Sequence, residues 1–324
     1  MSAEFLADVG AFMGLPRSRD LAAARAVILG IPFDCGLDAV RVGSRMGPAA
    51  IRRQSSLVRR YQPPFADFDP LAELAAVDCG DVAVVLGDII ETYQRIERAV
   101  HWIGAAGAIP VTFGGDGAVT LPQLRAMHRV HPDLCVLHFD AHTDTYPDHD
   151  PGPATAGANV ARYNPATTFA RAAEEGVVDV AHSIHVGPRG TISIQGVFDY
   201  TREMGFELIT GVDLMTEGVA ATLAHIHERL AGRPVYLCWD MDFFDPSCAP
   251  GVFTPTWGGV GAREGLAILQ GLRGLDLVAF DVNTLSPLYD VGGMSAFLAA
   301  TVVLECLHLA AFALRARGAD GGQV

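Results

Sequence analysis

"CVLHFD" (135–140) is a short apolar run that ends on a carboxylate and leads directly into "AHTD" (141–144). Its length and its β-forming residues read as one buried strand. Outward from it the same kind of run recurs: "AVILGIP" (26–32), "IPVTFGG" (109–115), "SIHVG" (183–187), "VYLCWD" (235–240) and "LVAFD" (277–281). Helix-like segments such as "IIETYQRIERAVHWIGAAG" (89–107) and "GVAATLAHIHERLAG" (218–232) lie between them. Alternation of this kind predicts an α/β chain, a three-layer α/β/α domain with a central parallel sheet covered on both faces. No repeat, charged tail or low-complexity linker interrupts it, so residues 1–324 are expected to form a single domain. The longest stretch without a pattern is "YPDHDPGPATAGANVARYNPATT" (146–168), and long loops in compact domains are commonly functional.

Composition narrows the chemistry. The chain has 324 residues, half of them hydrophobic, and a net charge of −14. Such a surface repels a phosphate backbone, so nucleic acid is not an expected partner. Every basic side chain is arginine, and the absence of lysine excludes a Schiff-base or P-loop lysine. Six scattered cysteines without a CxxC pair read as free thiols in a reducing compartment. The opening "MSAEFLADVG" lacks a basic segment followed by an apolar run, so no signal peptide is expected and the expected location is cytoplasmic. "MSAFLAATVVLECLHLAAFALRA" (294–316) is long and apolar, but Glu305 and His308 interrupt it. It reads as a buried helix, and no membrane partner is expected.

Ligands of open parallel sheets bind beyond the carboxyl ends of the strands. Asp140, Asp240, Asp281 and the "FGGDG" loop (113–117) are read at such ends. Alternation along an extended segment can aim Asp140, His142 and Asp144 at one point, and likewise Asp240 and Asp242. Acids of this kind also cap helices and tie loops, but two such segments in one chain favour a shared cation. Four carboxylates and one imidazole would repel one another without cations. Mixed oxygen and nitrogen donors suit Mn²⁺, Ni²⁺, Fe²⁺ or Zn²⁺ better than Ca²⁺. Two ions about 3.5–4 Å apart would make a nucleophile of a bridging water.

The motifs then resemble those of the ureohydrolases, the arginases, agmatinases and their guanidino-acid relatives. "GIPFDCGLDAVRVGSRMGPAAIRRQS" (30–55), "DCGDV" (78–82), "FGGDG", "HFDAHTDTY" (138–146), "VGPRG" (186–190), "CWDMDFFDPSCAPGVFTPTWGG" (238–259), "REGLAILQGLRGLDLVAFDV" (263–282) and "SPLYD" (286–290) stand in family order. The resemblance spans nearly the whole chain. It implies an arginase-like single domain, a dinuclear manganese site and a trimer or hexamer. Carried over residue by residue, it makes Asp140 and Asp240 the bridging ligands, gives His142 and Asp242 to one ion and Asp144 to the other.

Three departures fall where chemistry is expected. The family's G-G-D-H histidine is Gly117 here, so the ion served by Asp144 loses its imidazole. The histidine of the H-G-[TAM] loop, implied to shuttle protons, aligns with Pro165 when counted from "FARAAEEG" (169–176) and near Ala154 when counted from "DAHTD". His149 is the nearest replacement, with a solvated loop histidine as the plainer reading. The glutamate that pairs with a guanidinium is Thr284 in "DVNTLSP", and a hydroxyl cannot offer the charge-assisted fork of a carboxylate. Phe253 also stands where the P-G-T-G-T-P loop has a glycine, and the Y-D-H-A-E region reads "YDVGG" (289–293).

The expected reading is a metal-dependent hydrolase cleaving a C–N bond in a non-standard amidine-, guanidine- or urea-like small molecule. Asp140, His142, Asp144, Asp240 and Asp242 are the expected ligands, and Thr284, Phe253 and His149 the expected substrate contacts. Mn²⁺ is the first expectation, one ion tight and a second weak or absent, with Ni²⁺, Fe²⁺ or Zn²⁺ as alternatives. The competing readings are a non-catalytic homologue with a structural or regulatory role, and an agmatinase with relocated residues.

Overall fold

The computed structural model describes residues 10–36, 41–147, 162–192 and 194–320. Among the described residues eight strands form one sheet: β1 Ala26–Gly30, β2 Val77–Asp81, β3 Ile109–Phe113, β4 Cys135–Phe139, β5 Ile184–Val186, β6 Glu207–Ile209, β7 Pro234–Asp240 and β8 Asp276–Asn283. Their order is β2-β1-β3-β8-β7-β4-β5-β6, and every pairing is parallel. Helices cover both faces, as the near-continuous apolar character of the strands requires. Strand parity divides the core: Leu137, Phe139, Leu237 and Trp239 pack on one side, and Val136, Tyr236 and Cys238 on the other.

The apolar segment near the C-terminus is a helix, Met294–Asp320. Its length and composition would suit a membrane span, but Ala299, Val302, Val303, Cys306, Leu307 and Ala310 are built into the core beside the sheet. Buried Glu305 accepts through Oε1 from Gln62 and from Gln270 at 2.6 and 3.1 Å, which ties the helix to two neighbouring segments.

The central strands β3, β8, β7 and β4 bring their carboxyl ends together, where open sheets place ligands. The first signature segment braces this edge. Asp34 accepts from the backbone N–H of Gly43 and Arg45 at 3.2 and 3.0 Å, and from the Arg45 side chain. Cys35 N–H donates to Asp116 at 2.8 Å, holding the "GGDG" loop.

One expected position changes. The run read as ending at Asp281 continues to Asn283, so Asp281 lies inside β8. Register sets Asp281 beside Cys238 and Asn283 beside Asp240. Asp281 therefore sits one pleat below the carboxylate edge. There it accepts from Thr120 Oγ1 at 2.6 Å and from Tyr236 OH and Asn283 Nδ2 at 3.2 Å each. The strand β6 carries too short a pattern to stand out in the sequence.

Candidate metal centre

Asp140 follows β4 and Asp240 ends β7; both leave the sheet toward the same face as Cys238 and Tyr236, away from Phe139 and Trp239. Each acid then turns its own loop. Asp140 Oδ1 accepts from the His142 N–H at 2.6 Å, and Asp240 Oδ1 from the Asp242 N–H at 2.8 Å. Side-chain-to-backbone bonds two residues on are the usual Asx device for a tight turn. The Ala141 N–H donates to Asp242 Oδ1 at 3.0 Å, which locks the two loops together.

Three donor atoms converge as a result. His142 Nδ1 lies 3.1 Å from Asp140 Oδ1 and 3.2 Å from Asp242 Oδ2. The far nitrogen of His142 is 3.4 Å from Thr256 Oγ1. Asp144 stands on the other side of Asp140 with φ +50°, a left-handed conformation that aspartate tolerates. Asp140, Asp144 and His138 form a second group whose donor atoms lie within 4.8 Å of one another. Asp240 adjoins the first group through Asp242, and its Oδ1 also accepts from the Thr284 hydroxyl.

His138 did not figure among the expected site residues. Its Nε2 lies 2.9 Å from Asp140 Oδ2, and its Nδ1 lies 2.9 Å from Nδ1 of His185 on β5. The signal was its spacing: two residues apart on a strand, His138 and Asp140 share a face. An imidazole within an apolar run reads as core, and this one is buried, against Phe169.

The other expected residues fall as follows. Thr284 and Phe253 are adjacent: the Phe253 N–H donates to the Thr284 carbonyl at 2.9 Å, and both side chains are buried. Gly117 opens a turn, Gly117–Val119, capped by Asp116. A Cβ placed on Gly117 would lie 3.1 Å from Asp144 Oδ2 and 3.3 Å from the Pro165 Cβ. Pro165 thus stands beside Gly117 and Asp144; Ala154, the counterpart in the other alignment, and His149 lie outside the described residues.

The electrostatics call for cations. Asp140, Asp144, Asp240 and Asp242 are all buried. Burial and the Asp140 charge push the Asp144 carboxyl well above its ordinary range. Burial, with Asp140 and Asp242, does the same for Asp240; burial and Asp140 raise Asp242. Burial also pushes Asp140 up, but His138 and His142 outweigh it and hold that carboxyl well below the usual range. Burial opposes charge on His142, yet Asp242 and Asp140 outweigh it and lift His142 well above a normal imidazole. Burial, then His138, drives His185 well below its ordinary value. Burial pushes Asp116 up to about 7. Burial and mutual repulsion thus oppose charge on Asp144, Asp240 and Asp242, an effect that a bound cation would offset. Carboxylate oxygens with imidazole nitrogen form a donor set that fits Mn²⁺ and its neighbours.

Known proteins share this fold and sequence pattern. The family model described as "Arginase family" matches residues 24–309. A guanidinopropionase of Pseudomonas aeruginosa is 37% identical over 305 residues, spanning 94% of this chain and 92% of that protein. The solved proclavaminate amidino hydrolase of Streptomyces clavuligerus superposes with a TM-score of 0.87 at 34% identity, covering 95% of this chain and 98% of that one. A formiminoglutamase of Trypanosoma cruzi solved with Mn²⁺ shares the fold, with a TM-score of 0.79 at 24% identity over 94% of this chain and 98% of its own. A parallel sheet with carboxylates and imidazoles at its carboxyl edge, and a family match over most of the sequence, lead to one conclusion: the chain belongs to the arginase family of ureohydrolases.

Proposed function

We propose that this chain is a metal-dependent hydrolase that cleaves a C–N bond in a guanidine-, amidine- or urea-like small molecule other than arginine or agmatine. The observation that carries this is the convergence of Asp140 Oδ1, His142 Nδ1 and Asp242 Oδ2, with Asp144 and Asp240 beside them. These residues would hold Mn²⁺ or a similar ion, one position on the His142 side and a second on the Asp144 side. Divalent ions bound there supply Lewis acidity and water made acidic enough to act near neutral pH. The positions are unequal, because position 117 contributes no imidazole; the first binds tightly and the second weakly.

The protein's own groups set the rest. Thr284 donates its hydroxyl to Asp240, so it orients a ligand and has no proton left to offer a substrate. Its φ of +62° is a strained place for a β-branched residue, and such strain gathers where function holds it. With no carboxylate at 284, a guanidinium loses a charged partner worth about 2–5 kcal/mol, or roughly one to four powers of ten in rate. Buried Phe253 adds bulk next to Thr284, which favours a smaller or less charged group than a free guanidinium. The guanidino and amidino compounds named for the two closely similar relatives support that substrate class.

The test is a panel of guanidino acids, amidines, substituted ureas, arginine and agmatine, offered to Mn²⁺-loaded protein with urea and ammonia release recorded. Turnover of a panel member is expected, with arginine and agmatine near background. Agmatine or arginine hydrolysed at ordinary rates would overturn the substrate assignment. No turnover of any compound by metal-loaded protein would overturn the enzyme reading in favour of a non-catalytic homologue.

A further inference from the structure

We infer that His138 is a ligand of the second metal position, replacing the imidazole absent at Gly117 with one that arrives from inside the sheet. The inference rests on the metal-dependent reading above and specifies how the weaker position is built.

Position 117 faces Asp144: a Cβ there would lie 3.1 Å from Asp144 Oδ2. The donors on that side are Asp144 and the Oδ2 of Asp140, because Asp140 Oδ1 is turned toward His142. His138 Nε2 lies 2.9 Å from this same Oδ2, and the three side chains place donor atoms within 4.8 Å of one another. His138 and Asp140 already have the separation of two donors that can serve one ion. They reach it through strand parity, so no loop has to move.

The neighbour of His138 fits a ligand's requirements. A metal-bound imidazole donates its other N–H to a fixed acceptor. His138 Nδ1 lies 2.9 Å from His185 Nδ1, while His185 Nε2 is buried with no partner. His185 therefore meets His138 through one nitrogen only. To serve as a ligand through Nε2, neutral His138 would carry its proton on Nδ1 and donate it to His185 Nδ1, with the His185 proton on Nε2, a tautomer pair that holds the same two protons. The cost of breaking an existing hydrogen bond makes this position weaker than the first. A nitrogen donor also selects transition cations over Mg²⁺ or Ca²⁺.

Titration of metal-free protein with Co²⁺ tests this, read by bound-metal analysis and by the paramagnetically shifted, exchangeable imidazole N–H resonances. One such resonance, from His142, is expected with the first equivalent, and another with the second. His138→Gln should remove the second resonance and weaken the second ion about 100-fold, as loss of one ligand does, with the first ion changed less than about threefold. His185→Phe should weaken the second ion about 10-fold, as loss of an outer hydrogen-bond partner does. Adding Gly117→His with Pro165→Gly to His138→Gln should restore the second ion.

A second ion that binds without a second shifted resonance would overturn the inference. So would equal weakening of both ions in His138→Gln, which would make His138 only an anchor for Asp140. If His138→Gln does not fold, the wild-type spectra decide alone. Two bound Co²⁺ ions with two shifted resonances but no turnover of any substrate would sink the hydrolase reading and leave this assignment standing.

Discussion

Gly117→His puts back the imidazole that the loop lacks, and the structure sets both its cost and its gain. Gly117 is outside the left-handed region, so its backbone accepts an L side chain. The crowding is local: the new Cβ meets Asp144 Oδ2 at 3.1 Å and the Pro165 Cβ at 3.3 Å. Overpacking on this scale costs about 1–3 kcal/mol, and loss of glycine's freedom in the unfolded chain returns about 0.4–1 kcal/mol. The metal-free variant should therefore be less stable by about 1–2 kcal/mol. Structural zinc sites of four ligands are worth about 10–16 kcal/mol, or about 2.5–4 kcal/mol per ligand. Part of that share is lost because Asp144 must swing aside, so the second Mn²⁺ should bind about 10–100-fold more tightly. Pro165→Gly in the same chain relieves the 3.3 Å contact and should move the gain to the upper end. Equilibrium dialysis against Mn²⁺ with elemental analysis gives both affinities. A folded double variant whose second ion binds no better than in the natural chain would refute the placement of that position beside Gly117.

Asp140→Asn and Asp240→Asn should each strip bound ion and cancel the stabilisation that Mn²⁺ confers, about 2.7 kcal/mol at a hundredfold excess over Kd; unchanged melting shifts in both variants would show that these acids bind no metal. Thr284→Val keeps the shape and deletes the hydroxyl on Asp240, so metal affinity should fall about 10–100-fold, and titrations matching the natural chain would remove Thr284 from the centre. Asp116 titrates near 7 when folded against about 3.8 when unfolded, so the folded state holds its proton more firmly. Its contribution to stability is complete below about pH 4 and is lost as pH rises through about 7, a change of about 4 kcal/mol. Urea unfolding of the metal-free chain and of Asp116→Asn at pH 4, 6 and 8 should give a stability difference that shifts across that window, and a constant difference would contradict it.

The sheet was legible because buried parallel strands leave continuous apolar runs, and the edge was legible because acids follow those runs. Residues 138 and 281 were not, for opposite reasons. His138 sits inside a run where an imidazole passes for core, and only the two-residue spacing to Asp140 gives its direction away. Asp281 looks like a strand-end acid because the run before it is apolar, but "VN" (282–283) continues the strand and sinks it by one pleat. Thr284 showed a missing carboxylate in the sequence. That its hydroxyl is committed to Asp240 depends on a turn in the left-handed region, which no local pattern announces. The Gly117 backbone was equally hidden, since glycine is compatible with either hand.

The replaced positions are fitted to one another, and this weighs for a remodelled centre over a decayed one. Gly117 and Pro165 form a contacting pair: with proline at 165 a side chain at 117 is crowded, and with glycine at 117 the ring has room. Two independent losses have no reason to be complementary in volume. Thr284 holds a backbone conformation that costs a β-branched residue about 1–3 kcal/mol, and its return is a hydrogen bond to a charged group worth about 1.5–3 kcal/mol. That return exists only while Asp240 is kept as a buried carboxylate. Four buried acids remain at the edge, although their mutual repulsion would be relieved by any neutral substitution. Among the described residues, no oxygen of these four carboxylates is left as a buried atom without a hydrogen-bond partner. A site losing its function sheds such costs first. This one keeps the acids, spends a strained threonine on orienting one of them, and sets a matched glycine and proline against each other beside Asp144.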